Sequence, residues 1–456
     1  MKPIPAFKSY DVRGRVGVDF DGDDAARIAV ALLGIVGVGP IVLGRDARLS
    51  GDAILEAIGR ALAAAGAEVV DLGVCATEEV ASAVHRTDAR GGLMITASHN
   101  PAEWNGLKLF GPGGGPLSAE DFSRLRRRAE AAAPSAFAAQ ARMADGNRLR
   151  SGYVAQILSA IDIMALPRLR ALVDVGHGSA GAALLALRQG LREAGAPLEI
   201  FPLAAEPDGR FPHGVPNPLL PERRQRIATA IVEAGADLGV GLDGDGDRCF
   251  FFDETGAFLS GEHAVCLLAA VYLRAEPGAA LVHDTRLVFA IEDEVARAGG
   301  RAVRARTGHA FLKREMKASG APYGGELSGH HYFRDFMGAD SGMVPWLSML
   351  SLLGRTGSPL STLAGRLRSR FPSSGEINFT VSDPAAVMNR VCDALAPEAL
   401  EDDGFDGRAL RFADWRFCLR PSRTEPYLRL TVETRGDARR LDSAIKDLTR
   451  RIAAHS

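Results

Sequence analysis

The sequence predicts three related α/β domains followed by a smaller C-terminal α+β domain, and three observations carry that prediction. Short apolar runs of strand length alternate with amphipathic helical stretches through most of the chain. The alternation breaks off and restarts twice. The closing stretch changes character and gathers several strands between two helices. Alternating strands and helices place a sheet under helical layers, whereas clustered strands read as α+β.

In chain order, 24–36 reads as a helix, 40–44 as a strand and 52–65 as an Ala/Leu-rich helix, with apolar runs at 68–72 and 92–96. Charged and Ala-rich text over 124–144 reads as a solvated helix and a connection, which sets a first domain at 1–148. The pattern restarts with a strand at 170–175, a helix at 179–194 and a strand at 198–201. A Pro/Gly-rich loop over 207–221, a helix at 221–234 and a strand at 237–242 complete a second domain at 149–254. A helix from 261, strands at 280–284 and 301–304, and helices at 288–298 and 309–319 define a third at 255–366. Strands at 376–381, 410–412, 415–419 and 427–433, then a helix at 437–453, form the fourth at 367–456.

The bulk numbers leave room for an ordinary enzyme and little else. The 456 residues are enough for three or four domains. Hydrophobic residues at 46%, charged residues at 24% and a formal net charge of −2 give no electrostatic reason for a nucleic-acid or membrane partner. Cys75, Cys249, Cys266, Cys392 and Cys418 are odd in number and contain no CxxC pair, so disulfide and zinc frameworks are not expected. No signal peptide and no run of about 18 apolar residues is visible, which makes the cytoplasm the expected location.

Four segments carry chemistry. Gly241-Leu242-Asp243-Gly244-Asp245-Gly246-Asp247-Arg248 alternates three carboxylates with glycines directly after an apolar strand. Strand alternation sends the carboxylates to one side, glycine lets the backbone bend, and three hard oxygens suit Mg²⁺. A calcium loop of the EF-hand kind is the rival, because Glu254 stands twelfth from Asp243. It fails at the sixth position, where Arg248 replaces the required glycine. Thr96-Ala97-Ser98-His99-Asn100-Pro101 follows the apolar run 93–95, so Ser98 is expected at a strand's carboxyl end, where open α/β sheets bind ligands. Its hydroxyl is a candidate phosphoryl carrier. No G-x-S-x-G surrounds it, and the adjacent His99 is not placed like a triad base.

Gly324-Gly325-Glu326-Leu327-Ser328-Gly329-His330-His331 is expected to put Glu326 and Ser328 on one face of an extended loop, a carboxylate and a hydroxyl able to grip vicinal sugar hydroxyls. Arg420-Pro421-Ser422-Arg423-Thr424-Glu425-Pro426, with Arg429 close behind, reads as a phosphate cradle. Taken together, a phosphate-carrying serine, a divalent metal, sugar ligands and a separate phosphate clamp fit one reaction, the movement of a phosphoryl group within a sugar phosphate.

In this order the four segments resemble those of the α-D-phosphohexomutase superfamily over essentially the whole chain, and Phe7-Lys8-Ser9-Tyr10-Asp11-Val12-Arg13-Gly14 is similar to that family's opening. The resemblance implies four domains around a central cleft, with Mg²⁺ on Asp243, Asp245, Asp247 and a phosphate oxygen at Ser98. It implies that Arg13, Lys108 and Arg248 steady the transferring phosphate, with Lys108 also a candidate for proton transfer. Tyr10, Arg286, His309 and His330 join the substrate-binding candidates. The run 326–330, its extension 331–335 and Ala76-Thr77-Glu78-Glu79 look like the bacterial phosphomannomutase and dual phosphomanno/phosphoglucomutase type. Arg423 departs from that type, which often has asparagine there. The implied activity interconverts mannose 6-phosphate and mannose 1-phosphate, with a hexose 1,6-bisphosphate as intermediate and activator. A glucose or glucosamine phosphate mutase of the same fold, or a metal-dependent phosphatase using the same serine, stand as alternatives.

Overall fold

The computed structural model describes residues 3–132, 143–163, 166–422 and 427–455. The chain packs as two compact units. The first comprises Met1–Phe258 with Asp335–Gly357, and the second Leu259–Arg334 with Ser358–Ser456.

In the first unit, β1 (Val12–Arg15), β2 (Ile41–Arg45), β3 (Val69–Val74), β4 (Gly91–Ile95), β5 (Trp104–Phe110) and β6 (Met143–Asp145) form one sheet in the order β1-β5-β4-β2-β3-β6. Strand β2 runs parallel to β3 and β4, while β5 runs antiparallel to both β4 and β1. The two-residue period of the strands divides their side chains between two cores. Ile41, Leu43, Leu93 and Ile95 face Ile28, Leu32, Ile54, Ile58 and Leu62 of the helices Gly22–Val36 and Gly51–Ala64. Val42 and Met94 face the other way, onto Val80 and Val84 of the helix Thr77–Arg86. Asp21 starts the first of these helices by accepting from the Asp24 amide, a side-chain N-cap.

A second sheet in the same unit contains β7 (Arg170–Asp174), β8 (Glu199–Leu203), β9 (Leu238–Leu242) and β10 (Cys249–Phe252), ordered β10-β9-β7-β8. Strand β7 is parallel to β8 and β9, and β10 returns antiparallel to β9. The carboxyl ends of β2, β4 and β9 therefore lead into Asp46, Thr96 and Asp243.

The two-residue β11 (Phe258–Leu259) lies where the units divide. In the second unit, β12 (Ala280–His283) pairs in parallel with β13 (Arg301–Arg304) and β14 (Tyr323–Gly325), and β15 (His331–Phe333) folds back antiparallel onto β14. The segment 335–357 belongs again to the first unit and contains the short β16 (Ala339–Asp340) and the helix Val344–Thr356. That helix is apolar nearly all round, with Trp346, Leu347, Met349 and Leu350 buried, as expected of an internal helix. The second unit ends in an antiparallel sheet of β17 (Ser373–Thr380), β18 (Glu401–Asp403), β19 (Arg408–Arg411), β20 (Trp415–Pro421) and β21 (Tyr427–Thr434), ordered β17-β21-β20-β19-β18. Its core joins Leu410, Phe417, Leu419, Leu430 and Val432 to the helices Pro384–Leu395 and Ala438–Ala454. The predicted fold class, α/β sheets followed by an α+β sheet, is what forms. All five cysteines are free and buried. Among the described residues, no helix is long and apolar enough to cross a membrane.

Candidate active site

The first unit brings the serine and acidic segments together. Ser98 lies just beyond β4 and donates from Oγ to Asp243 Oδ2 at 2.8 Å. Asp243, Asp245 and Asp247 each present a carboxylate oxygen, all within 4.8 Å of one another. The loop can be this tight because Gly246 takes a left-handed φ of 71°, and because a Cβ at Gly244 would stand 2.5 Å from the Ser98 carbonyl oxygen. Burial and the neighbouring carboxylates of Asp245 and Asp247 push Asp243 up to about 7. Three buried carboxylates with one shared focus need cationic relief. Asp245 Oδ1 is buried and accepts no hydrogen bond, so the donor set fits a hard divalent cation.

Basic side chains already face this cluster. Lys108 Nζ is 2.6 Å from Asp245 and also pairs with Asp247. Burial alone would lower its pKa, but Asp245 and Asp247 outweigh burial and hold it above the ordinary lysine value. Arg248 Nε lies 3.5 Å from Asp243 Oδ2, and its amide donates to Asp243 Oδ1 at 3.2 Å. Arg13 bonds Asp11 at 2.7 Å and Asn100 Oδ1 at 3.1 Å, which sets it beside the Ser98 loop, with half-buried Tyr10 close in charge range. His99 Nδ1 stands 3.1 Å from Ser98 Oγ. The aspartate contacts the serine rather than the imidazole, so the order of a hydrolase triad is not reproduced.

The second unit gathers the sugar and phosphate segments. Glu326 is buried, and the stretch around it is a tight turn rather than the extended loop expected from sequence: the Gly329 amide donates to the Glu326 carbonyl at 3.1 Å, and the Glu326 amide to the His330 carbonyl at 2.9 Å. The antiparallel return of β15 onto β14 imposes that turn. Glu326 and Ser328 still converge, with Ser328 Oγ 3.4 Å from Glu326 Oε2. The carboxylate also accepts from the Gly308 amide at 2.8 Å and the Tyr332 hydroxyl at 2.9 Å, and His330 Nδ1 lies 3.1 Å away. Burial would raise the Glu326 pKa, but the His330 contact, Arg286 and the Gly308 amide hold it well below the usual carboxylate range. His309 begins the helix His309–Ser319, one residue after that amide. Arg286 is anchored by Asp284 at 2.5 Å, and Asp284 Oδ2 also accepts from the Leu327 amide at 2.9 Å.

Arg420, Ser422 and Arg429 lie on or beside the paired strands β20 and β21, and the Ser422 amide donates to the Tyr427 carbonyl at 2.8 Å. Arg423 and Thr424 lie outside the described residues. Sequence reasoning missed Glu376 on β17, whose carboxylate meets Arg286 at 3.2 Å, Arg429 at 3.1 Å and Arg420 at 3.8 Å. It noted Thr77 only within the 76–79 resemblance and gave it no role in the site, where it donates from Oγ1 to Asp245 Oδ2 at 2.7 Å and from its amide to the Asp245 carbonyl at 2.9 Å. Asp46 and Arg48, behind the Ser98 loop, escaped it as well. Their place at the carboxyl end of β2 was the available signal.

A serine hydroxyl set on a triple-carboxylate loop with basic side chains beside it describes a site suited to metal-assisted phosphoryl chemistry. Phosphoglucomutase/phosphomannomutase models match along the chain: alpha/beta/alpha domain I over residues 5–135, domain II over 151–256, domain III over 260–371 and the C-terminal domain over 376–450. The chain belongs to the phosphoglucomutase/phosphomannomutase family, and its activity is that of a phosphohexose mutase. It is 45% identical over 447 residues to a protein of Xanthomonas campestris pv. campestris described as phosphohexose mutases, covering 98% of each chain. It is 42% identical over 451 residues to the phosphomannomutase of Escherichia coli K12, covering 98% of this chain and 99% of that one. A solved phosphoglucomutase/phosphomannomutase family protein from Burkholderia thailandensis superposes with a TM-score of 0.85 at 29% identity, over 100% of this chain and 98% of that one.

Proposed function

We propose that this mutase interconverts mannose 6-phosphate and mannose 1-phosphate, with phosphorylated Ser98 as the phosphoryl donor and a hexose 1,6-bisphosphate as intermediate and activator. The observation that carries the reading is the 2.8 Å contact between Ser98 Oγ and Asp243, which sets that hydroxyl against the acidic cluster. Relatives named phosphomannomutase at 42–43% identity support mannose over glucose or glucosamine phosphate as the substrate.

In the forward step the bond between phosphorus and Ser98 Oγ breaks and a bond from phosphorus to the sugar's free hydroxyl oxygen forms. The proton lost by that hydroxyl is balanced by the one gained at Ser98. The second step reverses this with the other phosphate, so the sugar is held in two orientations. Mg²⁺, held by Asp243, Asp245, Asp247 and an oxygen at Ser98, would draw negative charge from the phosphoryl group. Lys108, 2.6 Å from Asp245, is placed to take part in proton transfer, and Arg13 and Arg248 steady the phosphate oxygens. Glu326 and Ser328 hold the sugar 3- and 4-hydroxyls, with Tyr10, His309 and His330 around the sugar. Arg286, Arg420, Ser422, Arg423, Thr424 and Arg429 hold the phosphate that is not reacting. The cytoplasm, where hexose phosphates are made, is the proposed location, and the five free cysteines are in keeping with it.

Two measurements test this. Intact-mass analysis of active enzyme should find one phosphate, on the Ser98 peptide, and Ser98→Ala should keep the fold but lose most turnover. Mannose 1-phosphate should yield mainly mannose 6-phosphate, faster with added hexose 1,6-bisphosphate. Free mannose and inorganic phosphate as main products, without that stimulation, would replace the mutase by a phosphatase.

A further inference from the structure

We infer that Arg48 is a positioning residue for phosphoryl transfer: it fixes the backbone of the Ser98 loop through its carbonyl oxygens while touching no reacting group. The inference rests on the reading of Ser98 as the phosphoryl carrier.

The Arg48 side chain is fully buried, at 0% exposure, and that of Asp46 nearly so at 2%. Every nitrogen of the guanidinium is engaged. Nε donates to Asp46 Oδ2 at 3.0 Å, and Nη2 to the carbonyls of Ser98 at 2.9 Å and Asn100 at 2.7 Å. Nη1 donates to the carbonyls of Pro101 at 2.5 Å and Trp104 at 2.9 Å. A buried ion pair is a poor way to stabilise a fold, since apolar side chains of similar volume often do as well. An apolar side chain, however, could not gather four carbonyls of one loop onto a single planar group. The fork geometry of arginine can, and the point charge of lysine cannot.

The loop needs such restraint. Ser98 holds a left-handed φ of 51°, a conformation that costs a non-glycine residue free energy and persists only where the surroundings enforce it. Its other backbone group is tied to the same network. The Ser98 amide donates to Thr96 Oγ1 at 2.8 Å, Thr96 Oγ1 donates to Asp46 Oδ2 at 2.7 Å, and Asp46 Oδ1 accepts from the Arg48 amide at 2.9 Å. The circuit closes at the Ser98 carbonyl. It is covered from the second sheet's side of the unit by Phe211, whose ring centroid lies 5.6 Å from the Arg48 guanidinium carbon, and by Gly209, where a Cβ would stand 2.2 Å from the Ala47 carbonyl oxygen. The Ser98 carbonyl that Arg48 grips is the same oxygen against which Gly244 of the metal loop packs. Arg48 thus sets the distance from the serine hydroxyl to the acidic cluster, and a misplacement of about 1 Å at a reacting centre costs on the order of a hundredfold in rate.

The test compares wild type, Arg48→Lys and Thr96→Val, each isolated with Mg²⁺ and phosphorylated with hexose 1,6-bisphosphate. Single-turnover transfer from phosphorylated Ser98 to mannose 1-phosphate should slow by about 10- to 100-fold in R48K and about 3- to 10-fold in T96V. KM should stay within about twofold, because the residues proposed to hold the substrate are untouched. A core truncation such as Ile58→Ala, matched in Tm loss, should leave the transfer rate near wild type. A wild-type transfer rate in folded R48K overturns the inference, as does an equal rate loss in the I58A control. If R48K does not fold, a wild-type rate in T96V overturns it. Wild-type enzyme that carries no phosphate on Ser98 while active overturns the proposed mechanism itself, and that result is read before any variant is compared.

Discussion

The carboxylate of Glu376 meets the guanidinium of Arg429 at 3.1 Å, and it does so from the centre of a group that also contains Arg286 and Arg420. Burial would raise the Glu376 pKa, but Arg286, Arg429 and Arg420 prevail and hold it below the ordinary carboxylate value. The proposed phosphate clamp is thus already partly neutralised from within the chain.

Glu376→Gln should therefore leave more uncompensated positive charge for a phosphate dianion. KM for mannose 1-phosphate should fall by about threefold to tenfold, and inorganic phosphate should become a stronger competitive inhibitor by a similar factor. Initial rates with increasing phosphate measure both. An unchanged inhibition constant would remove Glu376 and its arginines from the phosphate site.

Asp245 carries a buried oxygen without a hydrogen-bond partner and another held by Thr77. Asp245→Asn keeps the shape and removes one anionic ligand. Mg²⁺ affinity, read by calorimetry, should drop at least tenfold, and added Mg²⁺ should recover part of the activity. Thr77→Val should weaken Mg²⁺ binding by a smaller factor, since it frees the carboxylate to rotate without removing it.

Glu326 is held ionised in the folded chain, below its ordinary value of 4.5. A depressed carboxylate pKa contributes stability that is present above about 4.5 and is lost as pH falls below it. Glu326→Gln should flatten the acid side of the unfolding profile, measured by urea denaturation from pH 7 to pH 3. Sugar turnover should fall roughly tenfold to a hundredfold, the effect of losing a charged hydrogen bond of ~1.5–3 kcal/mol. Phosphate on Ser98 and bound Mg²⁺ should survive the change.

Glu78 shows the opposite sign. Burial pushes its carboxyl up to about 8, with the hydroxyls of Ser341 and Tyr153 facing it and Glu79 and Asp340 adding negative charge nearby. The folded chain binds a proton here that the unfolded chain releases above about 4.5, so this group lowers stability as pH rises from there to about 8. Glu78→Gln should remove up to about 1.4 kcal/mol of that decline per pH unit. Thermal melts at pH 6 and pH 8 should show the variant gaining on wild type at the higher pH. Parallel profiles would mean that Glu78 is ionised in the folded state.

What the sequence reveals is whatever lies contiguous in it. The Ser98 and Asp243–Asp247 loops follow directly on apolar strands, so strand ends and chemistry could be seen together, and the two loops do meet. Arg48, Thr77 and Glu376 act across long separations, on partners that the fold alone supplies. Thr77 reaches a residue far along the chain, and Glu376 sits mid-strand in an otherwise ordinary alternation. Strands β5 and β10 also escaped the periodicity. One is interrupted by Asn105 and Gly106, and the other merges with the acidic loop. The sugar segment was visible by residue type, but its turn depends on a return strand of only three residues.

The chain leaves the first unit at Phe258, builds part of the second, and comes back for Asp335–Gly357 before departing again. That returning piece supplies Phe336, whose ring meets Tyr153 at 6.5 Å, and the fully buried Trp346. A ribosome must therefore synthesise residue 357 before the unit that bears Ser98 can close its interior. Until then the nascent chain carries an unfinished apolar surface, which exposes it to aggregation and to chaperone capture. A fragment ending at residue 258 would keep the serine and acidic loops yet lack this closing helix, so cutting the gene at that boundary is the wrong way to isolate the unit that bears Ser98.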